Sequence, residues 1–259
     1  MTVPESTPFS AAGRARYDRR TADELRALLQ LPKVVLFGEV GSTLDVAHQL
    51  GEQGSEAGTL VLADAQRAGR GRLGRSWRSE AGTGIWLTLV ERPGGDDALG
   101  VLALRLALAL APALDTFSSD AVRLKWPNDV FVGDRKLAGI LVEARWRGAR
   151  LDWLAVGVGI NVRPPVELGV GGLSAGTDRI AVLAAVVPPL RAAVAASGPL
   201  TDDELRLFRE RDLALGKWCT APVAGQVAGV RSDGALLVAG VNGLEAVHAG
   251  SLVLANAHP

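Results

Sequence analysis

The chain has 259 residues, of which 48% are hydrophobic, and this suits one domain of medium size together with a second small one. Its 28 Lys and Arg residues balance its 28 Asp and Glu residues, so no overall charge attracts it to DNA or to a membrane surface. Its one cysteine, Cys219, excludes an internal disulfide framework and fits a reducing, cytoplasmic compartment. Residues 1–20 lack an apolar core of signal-peptide length, and we interpret them as a flexible leader.

Helix and strand signals follow the leader. Thr21 and Glu24 have the capping-box spacing that predicts the start of a first helix. Residues 33–40 (KVVLFGEV) predict a strand, and Ser42 or Thr43 can cap the helix that follows it. Polar residues in a turn between a strand and a helix frequently contact ligands, although N-capping alone also explains this pair.

The stretch AGRGRLGRSW, residues 68–77, satisfies the pattern G-x-G-x-x-G. A dinucleotide-binding turn of that pattern must open a helix, but here the loop lies between two predicted strands, at about residues 59–65 and 85–90. We therefore reject a dinucleotide-binding turn. Glycines that expose backbone N–H groups, together with guanidinium groups, instead predict an anion clamp. A solvated basic loop or a fragment of GR-rich RNA-binding sequence remains an alternative.

The apolar run at residues 98–114 contains Arg105 and Pro112 and is short for a bilayer, so it predicts a buried helix. Four extended segments follow: AVRLKW, DVFV, RKLAGILVE and LDWLAVGVGINV. These segments predict strands of the same sheet.

A two-residue hairpin turn is predicted at residues 133–134, between DVFV and RKLAGILVE. In that register Phe131 pairs with Lys136, and Asp129 pairs with Ala138. Because strand side chains alternate, Asp129 and Lys136 then lie on the same face as diagonal neighbours. This arrangement can form a site, although a surface salt bridge would look the same.

Helices are predicted at about residues 180–196 and after the capping box of Thr201 and Glu204. From Lys217 onward, short β segments alternate with tight turns and predict a small closed β-barrel. We place a domain boundary near Gly216.

Four motifs in this order resemble those of the biotin protein ligases: AGRGRLGRSW (68–77), KWPNDV (125–130), RKLAGILVE (135–143) and GVGINV (157–162). The resemblance covers the chain from about residue 33. It implies an α/β (α+β) fold, with a mixed β-sheet catalytic domain flanked by helices and a small C-terminal SH3-like β-barrel. The expected domains are residues 21–215 for biotin and ATP binding and 216–259 for the barrel.

The resemblance implies a two-step reaction with biotin and ATP as substrates and Mg²⁺ as cofactor. Biotin and MgATP give biotinyl-5′-adenylate and pyrophosphate, and biotin is then transferred to a lysine of the biotin carboxyl carrier domain of a carboxylase. Such a reaction requires screening of like charges, alignment of the reactants and exclusion of water.

By this resemblance the loop at residues 70–75 orders over the adenylate. Arg72 would meet the carboxyl and phosphate groups, whereas Arg70 would contribute mainly its backbone near biotin. The implied catalytic residues are Lys136, Arg72, Arg70 and Lys125. The implied adenylate-binding residues are Arg72, Arg75, Trp77, which would stack on adenine, Lys125, Lys136 and Asn161. Asp129 is the implied magnesium ligand, since one carboxylate together with substrate phosphates is the usual way Mg²⁺ is held.

For biotin, hydroxyl and amide groups would meet the donors and acceptors of the ureido ring. The implied biotin-binding residues are Ser42, Thr43, Gln66, Gly69, Arg70, Arg72, Lys136, Gly139 and Gly157. The chain departs from the family at Leu44, where Asn is common, and this affects the fine geometry of that turn.

Many bacterial members of the family carry an N-terminal winged-helix domain and also act as repressors. Only about 32 residues precede the first predicted strand here, so we expect a monofunctional ligase that binds no DNA and no membrane. We expect a monomer or a weak homodimer.

Three alternatives are considered, of which the first is another enzyme and the other two belong to other functional classes. A lipoate or octanoate ligase or transferase of related fold should show a different glycine-rich loop with a nearby histidine. A non-catalytic biotin-binding regulator needs neither Lys136 nor Asp129. RNA binding predicts several basic and aromatic patches, whereas the sequence has one.

Overall fold

The computed structural model describes residues 16–93, 95–164 and 169–255. Within these ranges a seven-stranded mixed sheet, here the main sheet, has the order β1-β2-β3-β7-β6-β5-β4, with only β1 and β2 parallel. Its strands are β1 (Val34–Val40), β2 (Thr59–Gln66), β3 (Gly84–Glu91), β4 (Val122–Lys125), β5 (Asp129–Val132), β6 (Arg135–Arg147) and β7 (Arg150–Asn161). The helices are α1 (Ala22–Leu29), α2 (Thr43–Glu52), α3 (Leu102–Asp115), α4 (Arg179–Ala195) and α5 (Asp202–Arg211).

Helices cover both faces of the main sheet. Successive side chains of a strand point to opposite faces, so a strand of consecutive apolar residues needs a helix on each side to bury them. In β1, Val34 and Leu36 join the core cluster that contains α1, α3 and α4 residues, whereas Val35 and Phe37 join a second cluster with α2. No helix of the described ranges is long and apolar enough to cross a membrane.

The carboxyl-terminal strands form a five-stranded antiparallel sheet, here the small sheet, in the order β11-β10-β9-β8-β12. They are β8 (Trp218–Ala221), β9 (Gly225–Val230), β10 (Leu236–Gly240), β11 (Gly243–Val247) and β12 (Val253–Leu254). The small sheet packs against the main sheet: the Trp126 indole donates to the Gly234 carbonyl at 2.9 Å, and the buried Val227 and Leu236 join the core of the larger unit. The expected fold class, a helix-flanked mixed sheet followed by a small β unit, is confirmed.

The described part of the predicted leader packs against the main sheet. Tyr17 is 1% exposed and its hydroxyl donates to the Gly84 carbonyl at 3.1 Å, while Asp18 forms an ion pair with Arg179. The expectation of a flexible segment up to residue 20 is therefore wrong for residues 16–20, because a buried aromatic ring and an ion pair anchor them. The rest of that prediction lies outside the described residues.

The predicted hairpin of β5 and β6 forms, with a shift in its register. Phe131 pairs with Lys136 as predicted, but Asp129 pairs with Gly139 instead of Ala138. Phe131 pairs with Lys136 and Val130 with Ala138, so Leu137 is an extra residue in β6 that forms a β-bulge. Beyond a bulge every residue pairs one position further along the bulged strand.

Candidate active site

A cleft with a volume of about 490 Å³ lies between the main sheet and the small sheet. One wall is the loop of residues 69–77, here the glycine loop, and another comes from the small sheet at residues 251–254. The predicted site residues that line this cleft are Thr43, Gln66, Arg70, Arg72, Arg75, Trp77, Lys125, Asp129, Lys136, Gly139 and Gly157.

Three predicted site residues lie elsewhere. Ser42 is buried and its hydroxyl accepts a hydrogen bond from the Leu44 backbone N–H at 3.3 Å, so it caps α2. Gly69 packs inside the glycine loop, where a Cβ atom would lie 2.3 Å from the carbonyl oxygen of Trp77. Asn161 lines a neighbouring cavity of about 180 Å³ that shares Trp77 and Lys136 with the cleft, and its amide donates to the Lys136 carbonyl at 3.1 Å.

Charged groups converge at one end of the cleft. Lys136 Nζ lies 2.7 Å from Asp129 Oδ1, which is the proximity that the hairpin predicts. Burial lowers the pKa of Lys125; Asp129 opposes this shift, whereas Lys136 and Arg75 add to it. These cations are held close together in a partly dry site, where an anionic ligand would relieve their mutual repulsion.

Arg72 extends this positive region from the glycine loop. Its guanidinium donates to Asn128 Oδ1 at 3.3 Å, and the Asn128 amide in turn donates to the Ile140 carbonyl at 2.6 Å. Burial lowers the pKa of the Arg72 guanidinium, an effect that Asp129 opposes and Arg75 reinforces. The hydrogen bond from Asn128 to β6 and that from Arg72 to Asn128 together orient the Arg72 guanidinium, as a preorganised donor requires.

The Trp77 ring lies flat against a glycine surface made by β6 and β7. A Cβ atom at Gly159 would lie 2.5 Å from Trp77 Nε1, and one at Gly139 would lie 2.9 Å from Cζ3 of the same ring. Lys136 Nζ lies 5.1 Å from the ring centroid, within cation–π distance. Glycine is thus required on both strands for the indole to approach them.

Hydroxyl and amide groups form the other end of the cleft. Gln66 Oε1 accepts from the Thr43 backbone N–H at 2.9 Å and from the Thr43 hydroxyl at 3.1 Å, while Gln66 Nε2 donates to Ser79 Oγ at 2.8 Å. The buried Thr88 hydroxyl donates to Thr43 Oγ1 at 2.9 Å. The apolar side chains of Leu44 and Leu141 line the cleft nearby. This end can hold a small apolar molecule with an amide-like group.

Sequence reasoning missed several residues that line the cleft and one, Thr88, that lies behind its wall and bonds Thr43. Thr88 stands alone as a polar residue in an apolar strand, and Asn128 lies in a turn between charged residues, so each had a weak signal. Leu213, Lys217 and residues 251–254 had none, because nothing in the sequence indicates which part of the small sheet faces the main sheet.

The carboxylates of the cleft fit a magnesium ion that arrives with phosphates better than a metal site built by the protein alone. Among the residues that the structure describes, no group of three or more His, Cys, Asp or Glu side chains could hold a metal. Asp129 and Asp134 line the cleft, and Asp129 is the one beside the cations. Mg²⁺ is commonly held by one carboxylate together with substrate phosphates.

A helix-flanked sheet whose cleft has cations at one end and fixed amide and hydroxyl groups at the other has the form of a small-molecule site that suits an anionic group beside a polar one. Comparison with known proteins agrees. The model of the Biotin/lipoate A/B protein ligase family matches residues 39–161. The chain is similar to this family over that segment, which is slightly less than half of its length.

Relatives and solved structures extend the likeness beyond the matched segment. The biotin–[acetyl-CoA-carboxylase] ligase of Mycobacterium tuberculosis is 29% identical over 216 residues, which are 76% of this chain and 78% of that protein. The structure of a biotin protein ligase from Aquifex aeolicus in complex with biotin and ATP has a TM-score of 0.70 and 26% identity, covering 87% of this chain and 99% of that one.

A third relative, the bifunctional ligase/repressor BirA of Bacillus spizizenii, is 38% identical over 124 residues, which are 48% of this chain. The matched segment spans 38% of that relative's own length.

Proposed function

We propose that the protein is a biotin protein ligase, which activates biotin with MgATP and transfers it to a lysine of the biotin carboxyl carrier domain of a carboxylase. The observation that carries this proposal is the joint placement of Lys136, Lys125 and Arg72 at one end of a cleft whose other end holds Thr43 and Gln66. The names of the Mycobacterium tuberculosis and Aquifex aeolicus proteins support it.

In the first step a biotin carboxylate oxygen attacks the α-phosphorus of ATP. A new P–O bond forms, the bond between the α-phosphorus and the oxygen that bridges it to the β-phosphate breaks, and pyrophosphate leaves with the electron pair of that bond. Lys136 bridges the carboxylate and the α-phosphate, and Arg72 binds both groups from the glycine loop. Their charges offset the repulsion between two anions, which otherwise prevents the attack.

Asp129 would hold the magnesium ion that accompanies ATP, and this ion supplies further screening of the triphosphate. The Lys136 ammonium already lies 2.7 Å from Asp129, so the lysine exchanges this carboxylate for the ligand anions when the substrates bind. Lys125 binds phosphate from β4, and Trp77 stacks on adenine from the glycine surface.

In the second step the neutral amine of the carrier lysine attacks the biotinyl carbonyl carbon. An amide bond forms, AMP leaves with the electrons of the C–O bond, and the amine releases its proton. The glycine loop covers the mixed anhydride and excludes water until the carrier arrives.

The Thr43 and Gln66 end favours biotin over a lipoyl or octanoyl acid. Thr43 and Gln66 supply hydroxyl and amide groups for the ureido ring, and the hydrogen bonds from Thr88 and to Ser79 hold them in place. Gln66 Nε2 has a second N–H besides the one that bonds Ser79, and a ligand without a matching acceptor would bury it unpaired, which costs about 1–3 kcal/mol.

The test is ATP–pyrophosphate exchange by the purified protein with magnesium and biotin, lipoate or octanoate in turn. Exchange with biotin alone supports the proposal, and exchange with lipoate or octanoate moves the protein to another branch of the family. The absence of exchange with all three acids would favour a binding protein. Transfer is then measured as label on a carrier domain, compared with a carrier whose acceptor lysine is replaced by arginine.

The remaining properties are proposals of the same kind. Cytoplasmic location fits the free, buried thiol of Cys219. Lack of repressor activity fits the balanced charge, and a DNA gel shift in the presence of biotin and ATP checks it. Sedimentation of the protein with and without these ligands tests the expected monomer or weak homodimer.

A further inference from the structure

The Arg70 side chain at the start of the glycine loop is paired with two carboxylates of the surrounding elements. Its Nη2 atom lies 2.9 Å from Asp45 Oδ1 of α2 and 3.7 Å from Glu143 Oε2 of β6. The Trp77 backbone N–H donates to the Gly69 carbonyl at 2.8 Å, next to Arg70 in the chain. A contact that fixes Arg70 therefore fixes the base of the loop that carries Arg72.

Glu143 is itself held in place by buried groups. The Trp153 indole donates to His48 Nδ1 at 3.2 Å, and an indole N–H can only donate. His48 Nδ1 is thus the acceptor, which assigns the ring proton to Nε2, and Nε2 donates to Glu143 Oε2 at 2.6 Å. The hydrogen bonds run in one direction, from Trp153 through His48 to Glu143.

The two carboxylates differ in how firmly they are placed. The side chain of Glu143 is 24% exposed and that of its partner His48 is 8% exposed, whereas Asp45 is 58% exposed. An exposed ion pair is screened by water and loses side-chain freedom when it forms, so it contributes little. A carboxylate already fixed by a buried donor loses less freedom on pairing, so Glu143 gives Arg70 a fixed anchor, although its separation of 3.7 Å is longer than the 2.9 Å to Asp45.

We propose that Glu143 is a positioning residue that holds the glycine loop over the cleft through Arg70, and that it thereby slows the escape of the biotinyl adenylate. This inference rests on the proposed function. Glu143 is outside the lining of the cleft and touches the loop from β6, so it acts on retention of the intermediate and not on its formation.

The first experiment measures how fast biotinyl-5′-adenylate, formed in place from biotin and MgATP, leaves the protein after the free substrates are removed. Glu143→Gln keeps an acceptor for His48 but removes the charge that faces Arg70. We expect release to be about three- to tenfold faster, which is the scale of a partly exposed ion pair. The single-turnover rate of adenylate formation at saturating substrates should stay within about twofold.

A double-mutant cycle separates this role from a purely structural one. If Glu143 acts through Arg70, Glu143→Gln should add nothing to the release rate in an Arg70→Gln background. Arg70→Gln leaves the buried pair of Glu143 and His48 intact but also breaks the pair with Asp45, so its release rate is compared with that of Asp45→Asn, which keeps Glu143. Faster release from Arg70→Gln than from Asp45→Asn then reports the Glu143 contact even if Glu143→Gln folds poorly. Fully additive effects, or an unchanged release rate in the Glu143→Gln single variant, would overturn the proposal.

Glu39→Gln is the matched control. It breaks the exposed pair in which Arg67 Nη1 lies 2.6 Å from Glu39 Oε1, near the same loop but outside the lining of the cleft. Release from this variant should equal that from the unaltered protein.

Hydrogen exchange of the glycine loop in the ligand-free protein provides an assay that does not depend on the proposed function. The amides of Gly71 and Trp77 donate within the loop, so their exchange reports its opening. Glu143→Gln should speed this exchange by about three- to tenfold. An unchanged rate of hydrogen exchange would refute the role of Glu143 in holding the loop. Failure of the protein to catalyse biotin-dependent ATP–pyrophosphate exchange would instead refute the proposed function alone.

Discussion

Replacement of Gly159 by alanine tests whether the glycine surface under Trp77 serves the nucleotide. The new Cβ atom would lie 2.5 Å from Nε1, 2.7 Å from Cε2 and 3.0 Å from Cζ2 of the indole. Unstrained contacts between such atoms are about 3.5–4.0 Å, so the ring must retreat by about 1 Å. Gly159 lies in an extended strand, so the effect is steric and not a backbone effect.

The magnitude follows from the cost of overpacking, about 1–3 kcal/mol. Trp77 belongs to a surface loop and can move aside in the free protein, so we expect the cost to fall on the complex that needs the ring in place. The KM for ATP should then rise roughly five- to hundredfold, with a small change in Tm. The KM for ATP is measured from ATP–pyrophosphate exchange at varied ATP concentration and saturating biotin.

Two glycine variants serve as references. Gly38→Ala in β1 adds a methyl group with nothing within 4 Å and should leave both KM values unchanged. Gly157→Ala places its methyl group 3.1 Å from Leu44 Cδ2, so it should raise the KM for biotin instead. If Gly159→Ala left the KM for ATP within about twofold, the assignment of Trp77 to the nucleotide would be refuted.

Three further predictions concern the charged end of the cleft. Lys136→Ala should slow adenylate formation by at least about a hundredfold, the scale for one preorganised charge, and an unaltered rate of pyrophosphate exchange would exclude the bridging role of Lys136. Arg72→Gly removes the donor to Asn128 and should speed release of the adenylate about ten- to hundredfold in a release assay, whereas equal release would exclude the clamp. Burial lowers the pKa of Lys125 from its ordinary value of 10.5, so Lys125 loses its charge at a lower pH than a free lysine does. As the pH rises, the affinity for ATP should therefore begin to fall before pH 10.5 is reached. The Lys125→Arg variant keeps its charge over this pH range, so its affinity for ATP, measured by calorimetry, should not fall in the same way. If its affinity fell by the same amount with the same midpoint pH, the assignment of Lys125 to phosphate binding would be contradicted.

Sequence patterns predicted the local elements because their signals are local. The capping boxes of Thr21 and Thr201 form as expected, each with its glutamate three residues later, and the hairpin turn at residues 133–134 brings Asp129 to Lys136. Such contacts depend on a few neighbouring residues and on the alternation of strand side chains.

Contacts between distant segments were not predictable in the same way. The bulge at Leu137 depends on how β6 fits between β5 and β7. The link from Trp153 through His48 to Glu143 joins α2 to the paired strands β6 and β7, which lie about a hundred residues later in the chain. Tyr17 was assigned to a flexible leader because a single aromatic residue in a polar segment does not reveal the pocket that buries it. These features need the three-dimensional arrangement of the sheet.

The contribution of β12 to the cleft has a consequence for biosynthesis. The glycine loop, the β5–β6 hairpin and β7 are all translated before the small sheet, yet residues 251–254 form part of the cleft wall. A chain still emerging from the ribosome can fold its main sheet first, since domains generally fold as units during synthesis. Its binding cleft stays open on one side until β12 has been made and has paired with β8, so the nascent protein acquires this wall of its ligand site only after residue 254 has been translated.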